Sequence, residues 1–298
     1  MKQKSGFHLY TIGDRVFLTI NGLLLLAVLI AILYPLAYIV SASFSGGISV
    51  MSLSLLPRKL SLLGYRTVFN YKDIWTGYAN SLYYTLFGTL VSLIITTCCA
   101  YPLSRRDFRF RNVMMLLCMI TMYFSGGLIP TYLTIRDVGI LDSVWAVVLP
   151  GALSVYNMIV MRTYFDTQIP LELLESSQLD GCGNIRYLTS IVLPLSGPIL
   201  AVTGLFYAVG YWNSYFGPMI YLNTRGKFPL AIILREILVQ NNTASMEFGD
   251  IDEMASLEMR RNVMKYAVIV VSSLPVMLLY PFVQKYFVKG IMIGAVKG

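Results

Sequence analysis

The sequence predicts an all-α polytopic membrane protein with about six transmembrane helices. Three observations lead there. Of 298 residues, 56% are hydrophobic and only 13% are charged, with a mean hydropathy of +0.67. A soluble domain carries roughly 25% charged residues, and its core could not hide so much apolar surface. Six apolar stretches each approach the length of about 20 residues that a bilayer requires. The basic residues gather in loops that six spans would place on one side of the membrane.

The stretches run approximately over 16–42, 77–103, 113–133, 144–161, 191–222 and 263–282, and apart from Lys265 near the start of the sixth none contains an Asp, Glu, Lys, Arg or His. The first is too long for the core of a signal peptide and is read as a retained helix. After the second, Arg105, Arg106, Arg109 and Arg111 crowd a short loop. Lys2, Lys4 and Arg15 precede the first span, and Lys285, Lys289 and Lys297 follow the sixth. Short basic loops stay cytoplasmic, so both termini and this loop are expected inside, in a bacterial plasma membrane. A tail (1–15), a transmembrane domain (16–289) and a C-terminal tail (290–298) follow as the expected organisation. The polar connection 162–190 then lies inside, and the longer loop 223–262 lies outside.

The net charge of +8 fits cationic loops beside anionic headgroups. No long basic stripe or recognition motif suggests nucleic acid. Cys98, Cys99, Cys118 and Cys182 show no metal-ligand spacing and read as small apolar side chains. The sequence has no phosphate-binding loop of the Gly-x-x-x-x-Gly-Lys type, and its single histidine, His8, lies in the N-terminal tail. No catalytic residues, metal or cofactor are expected. Ion-coupled transporters often place ionisable groups at mid-membrane, and these spans lack them. Energy for uphill transport is therefore expected from a partner, although broken-helix carbonyls can also bind Na⁺.

The loop between the fourth and fifth stretches is the most informative segment. Pro170 suits a helix start, Glu172 and Glu175 favour its positive end, and Gly181 sits where a left-handed residue would end it. These signals predict a short helix from about 170 to 180, with Leu171, Leu174 and Gln178 on one face. The order Glu175-Ser176-Ser177, three residues, Gly181, nine residues, Ile191-x-Leu193-Pro194 resembles the signature of binding-protein-dependent ABC importer permeases. That signature reads Glu-Ala-Ala, then Gly, then Ile-x-Leu-Pro, and here two serines replace the alanines. Phe124-x-Gly126-Gly127-x-Ile129-Pro130, Gly139-Ile140-Leu141-Asp142, Tyr211-Trp212-Asn213 and the stretch from Pro281 to Gly290 are similar to the carbohydrate branch of that family.

The resemblance implies a type I ABC importer permease fold and a subunit of an ATP-driven carbohydrate importer. It implies that the short helix is a coupling helix, with Glu175, Ser176, Ser177, Asp180, Gly181, Ile191, Leu193 and Pro194 facing the ATPase. The apolar, glycine-rich ending with Gly290, Gly294, Lys297 and Gly298 would contact the ATPase dimer, or pack on its own helices. Loop 223–262 would meet the binding protein, or fold onto the membrane domain. Asn80, Asn157, Trp212 and Asn213 have the chemistry of a sugar path, but helix–helix hydrogen bonding and aromatic belts are the preferred reading of them, since in the resembled family the paired subunit often holds most sugar contacts. The implied partners are a second, non-identical permease, an ATP-binding homodimer, an extracytoplasmic solute-binding protein and the lipid bilayer. The rival readings are a permease for a non-sugar solute, an ion-coupled secondary transporter, and a membrane enzyme or scaffold.

Overall fold

The structure, a computed structural model, describes residues 11–46, 60–239 and 264–278. Among these residues the regular elements are helices, apart from a single antiparallel bridge between Ser45 and Leu60. The chain divides into two compact units, one of residues 1–70 with 245–271 and one of 71–244 with 272–298.

The first unit contains α1 (Ile12–Ser43) and α2 (Leu63–Asn70). Thr11 and Asp14 form a capping box that satisfies the first turn of α1. The helix is 32 residues long and almost wholly exposed, with Leu24, Leu29 and Leu33 each more than half accessible. So apolar a surface calls for lipid or protein rather than water. At its end Ser43 hydrogen-bonds the Tyr65 hydroxyl of α2 at 2.8 Å.

The second unit is built around α3 (Lys72–Ser104). Its 33 residues rise about 50 Å at 1.5 Å each, more than the hydrocarbon core of about 30 Å. Its buried face carries small residues: Gly77, Ser81, Thr85, Gly88, Ser92, Thr96 and Ala100. Small side chains let backbones approach closely where lipid offers no hydrophobic drive to pack helices. In chain order α3 is followed by α4 (Arg111–Tyr123), α5 (Leu128–Asp137), α6 (Val144–Val148) and α7 (Val155–Gln168), then α8 (Leu171–Leu179), α9 (Asn184–Tyr187) and α10 (Leu193–Leu195). After them come α11 (Gly197–Trp212), α12 (Phe216–Tyr221) and α13 (Leu230–Val239). A last apolar helix, α14 (Met264–Leu278), belongs in part to each unit.

Three stretches that hydropathy reads as single spans are broken. The α4–α5 pair bends by 113°, the α6–α7 pair by 56°, and the pair formed by 184–195 and α11 by 84°. Gly127, with φ at +87°, makes the first turn in a conformation that side chains with a Cβ resist. Pro150 lies in a 3-10 turn that carries α6 into the second break, which ends at the Ser154 cap of α7. A π-turn over Leu188–Val192, then Pro194 and Pro198, which lack N–H donors, make the third. Among the described residues, two helices are long and apolar enough to cross a membrane alone, and up to five spans result if each bent pair counts as one. The sixth stretch lies only partly within the described residues.

Candidate functional site

The loop helix α8 forms where the sequence places it. Pro170 is its N-cap and Asp180 its C-cap. Gly181 adopts φ +71°. The N–H of Cys182 donates to the Ser177 carbonyl at 2.9 Å, and that of Gly181 to the Gln178 carbonyl at 3.0 Å. This is the Schellman arrangement, which satisfies the last carbonyls and reverses the chain sharply. Both serines satisfy their hydroxyls within the helix, Ser176 on Leu173 O and Ser177 on Leu174 O. The outward surface at Ser176 is therefore small and undemanding, whereas Ser177, expected on the same face, is buried on the inner one. Glu175, Ser176 and Asp180 are exposed, as is Pro194, while Ile191 and Leu193 are half-buried. Ser177, not the expected Gln178, is buried beside half-buried Leu174. The inner face is thus the i, i+3 pair 174/177, because Leu171 at the first turn stays 45% exposed.

The C-terminal ends of α3 and α7 brace this helix. Arg162 Nε donates to the Leu103 carbonyl at 2.9 Å, capping α3. Arg105 binds Asp107 through both its Nε, at 2.8 Å, and its Nη2, at 2.6 Å, and lies 6.0 Å over the Tyr187 ring. The Arg105 hydrogen bond holds the Asp107 carboxyl below the usual range, and Asp107 in turn raises Arg105. A cavity of about 190 Å³ remains between these groups, lined by Tyr101, Asp166, Pro170, Leu174 and Tyr187.

The four residues offered for a sugar path do not meet. The Asn80 amide donates to the carbonyls of Gly226 at 2.8 Å and Phe228 at 3.0 Å, so it secures a loop. Trp212 and Asn213 line a cavity of about 280 Å³ with Leu230 and Leu234. Asn213 bonds back to Val209 O of its own helix, and the Trp212 ring meets Tyr78 edge-on. Asn157 lines a separate cavity of about 490 Å³ at the α6–α7 break. Gly290, Gly294, Lys297 and Gly298 lie outside the described residues, as does most of loop 223–262.

Two further constellations escaped the sequence reading. Asp142, a non-glycine residue at φ +53°, gathers the start of the 223–262 loop. Its Oδ1 accepts the N–H groups of Asn223 and Thr224, each at 3.0 Å, and its Oδ2 accepts from Thr224 Oγ1 and Lys227 Nζ, each at 2.7 Å. The Lys227 bond, then the Thr224 and Asn223 donors, hold this carboxyl well below the usual range. Tyr84 donates to Lys227 O, Ser81 accepts from Leu230 N, and Arg225 pairs with Asp73 and Glu236. Deeper, two tyrosines of α11 join three helices. Tyr211 donates to Val148 O at 3.0 Å and bonds Ser92 at 2.9 Å; Tyr207 accepts from Ser154 N at 3.0 Å and bonds Thr96 at 2.7 Å. Serine and threonine four apart on α3 facing tyrosines four apart on α11 are the signal that was legible and unused.

Comparison with known proteins adds to this geometry. No protein-family model matches the chain. It is 42% identical over 289 residues to the polygalacturonan/rhamnogalacturonan transport system permease protein YtcP of Bacillus subtilis (strain 168), covering 96% of this chain and 99% of that one. It is 38% identical to protein LplC of the same organism, covering 97% of each. Among solved structures, a chain of a bacterial ABC transporter involved in the import of the acidic polysaccharide alginate superimposes with a TM-score of 0.84. The two share 35% identity, over 93% of this chain and 99% of the other.

Proposed function

We propose a function from one premise: this chain belongs to the permease subunits of carbohydrate ABC importers. It is a membrane-embedded transport subunit for an oligosaccharide or polysaccharide fragment. In our reading it forms half of the translocation pathway and has no ATPase site of its own. A second, non-identical permease supplies the other half. Two copies of an ATP-binding subunit sit on the cytoplasmic side, where both termini of this chain also lie. An extracytoplasmic binding protein delivers the sugar to the outer face, where loop 223–262 receives it. Tail 290–298 reaches the ATPase dimer.

The observation that carries this reading is the short braced helix α8, with Glu175 and Asp180 exposed and a sharp reversal at Gly181. In the proposed cycle α8 seats in a cleft of the ATPase, and Glu175 meets a basic group there. The small, exposed Ser176 leaves room for close approach, and buried Ser177 lets α8 sit close on its own chain. Ile191, Leu193 and Pro194 carry the motion from α8 into α11. ATP binding draws the two ATPase subunits together, and the attached helices follow. The inward-open and outward-open states are thus weighted by what each partner binds. A cysteine at Ser176, exposed on α8, tests the contact. It should cross-link to the ATPase subunit in membranes, with a yield that changes when ATP is trapped. The contact is excluded if no cross-link forms under conditions in which the two permeases do cross-link.

A further inference from the structure

We infer that this chain contributes a sugar-contacting subsite of its own, in the cavity beside the break between α6 and α7, with the Asn157 amide as its hydrogen-bonding group. The inference rests on the importer reading above. Irregular backbone at membrane depth survives only where it is buried in protein or lines a polar cavity. Here the break does both. The freed Val148 carbonyl takes the Tyr211 hydroxyl, and the freed Ser154 N–H is met by Tyr207. Both hydroxyls are held again from α3 by Ser92 and Thr96. These tyrosines are therefore fixed walls, with their polar ends already committed.

Asn157 is different. Its backbone N–H donates to the Ser154 cap. Its side chain is only 7% exposed, lines the cavity, and makes no hydrogen bond among the described residues. Its amide opens onto the cavity, where ordered water or a ligand's hydroxyls would be its partners. The rest of the lining fits a pyranose. Phe206 is 43% exposed and presents an aromatic face, and Ser154 and Ser214 supply hydroxyls. Among the described residues, no Asp, Glu, Lys, Arg or His lines the cavity. The subsite therefore takes the hydroxyl and ring faces of a sugar unit and offers no cation to a sugar carboxylate. An aromatic face with a few placed polar groups is the usual makeup of small-molecule sites.

Gly210 permits a test that leaves the fold alone, since a Cβ built there meets nothing within 4 Å. The complete importer would be reconstituted in liposomes, with labelled oligogalacturonides and galacto-oligosaccharides as probes of ATP-driven uptake. Asn157→Ala should lower uptake at subsaturating sugar about ten-fold, equivalent to about 1.4 kcal/mol, chiefly through KM. Gly210→Leu, which places a branched side chain on the cavity wall, should lower it at least as far. Both variants should co-purify with their partners and unfold near the wild-type temperature, because neither substitution removes a side-chain hydrogen bond seen among the described residues. Uptake within two-fold of wild type in both variants would overturn the subsite and leave the importer reading standing. Loss of the second permease from the Gly210→Leu complex would also overturn it, by marking this face as a subunit interface. Absence of ATP-driven uptake in the wild-type complex would instead strike the importer reading.

Discussion

Gly88 on α3 sits against the ring of Tyr211 on α11, and replacing it with alanine should loosen the centre of the second unit. A Cβ at position 88 falls 2.8 Å from two ring carbons of Tyr211 and 2.9 Å from a third. Carbon atoms prefer about 3.5–4.0 Å, so the ring would have to retreat by about 1 Å. It is not free to do so, because its hydroxyl is held by Ser92 on one side and the Val148 carbonyl on the other. Overpacking of this kind costs about 1–3 kcal/mol. Weakening two interhelical hydrogen bonds adds about 0.6 kcal/mol each in a membrane setting. Gly88→Ala should therefore destabilise the chain by about 2–4 kcal/mol, read by denaturant titration of the purified protein in mixed micelles. Tyr211→Ala should absorb most of that penalty in a double-mutant cycle, since the clashing ring is gone. A loss below about 0.5 kcal/mol for Gly88→Ala, or strictly additive effects in the cycle, would refute the close packing of α3 on α11.

Three further predictions concern the two ends of the machine. Glu175→Lys reverses the exposed charge on α8 and should cut transport sharply while membrane insertion is preserved; normal uptake in this variant would remove Glu175 from the ATPase contact. Gly181→Val places a β-branched side chain at φ +71°, where strain of about 1–2 kcal/mol is expected; faster amide exchange confined to 171–187 would report it, and unchanged exchange would argue against the chain reversal. Asp142→Asn keeps the shape and tolerates the left-handed backbone, so it isolates the charge. Hydrogen exchange over 223–230 should rise in this variant. In the wild type the Asp142 carboxyl is depressed, so its contribution is complete above the unfolded carboxylate's pKa of about 3.9 and fades as pH falls below that toward the folded value. Protection of the loop should accordingly be flat from pH 5 to 8, and a loss of protection within that range would contradict the clasp.

The parts of this fold that were readable in the sequence are those set by local chemistry. Pro170 and Gly181 bracket α8 to within a residue, because a helix start without an N–H and a left-handed stop are properties of single residues. The apolar stretches were legible as membrane segments, since composition alone separates them from soluble helices. Their breaks were not, because averaging hydropathy over a span hides a turn. Gly126-Gly127 and Pro150 were in plain view, and such pairs and prolines are turn signals even within apolar runs. Asn80 has a polar side chain in an apolar helix, which suits either a sugar path or a hydrogen bond to a neighbouring segment. Its partners, the carbonyls of Gly226 and Phe228, lie 146 and 148 residues away in sequence, beyond any local pattern. Asn157 and Asn80 look alike in the sequence, and only the packing separates an amide that holds a loop from one that faces a cavity.

The central claim is that this chain works only as one part of an ATP-driven assembly, coupled through α8. The most direct measurement is quantitative mass spectrometry of the chains recovered with it after gentle cross-linking in its native membranes. The account predicts an ATP-binding protein and a second six-span permease in fixed proportion, with ATPase cross-links mapping to 171–181. Reproducible recovery of the chain alone, from membranes in which other complexes are captured intact, would contradict it.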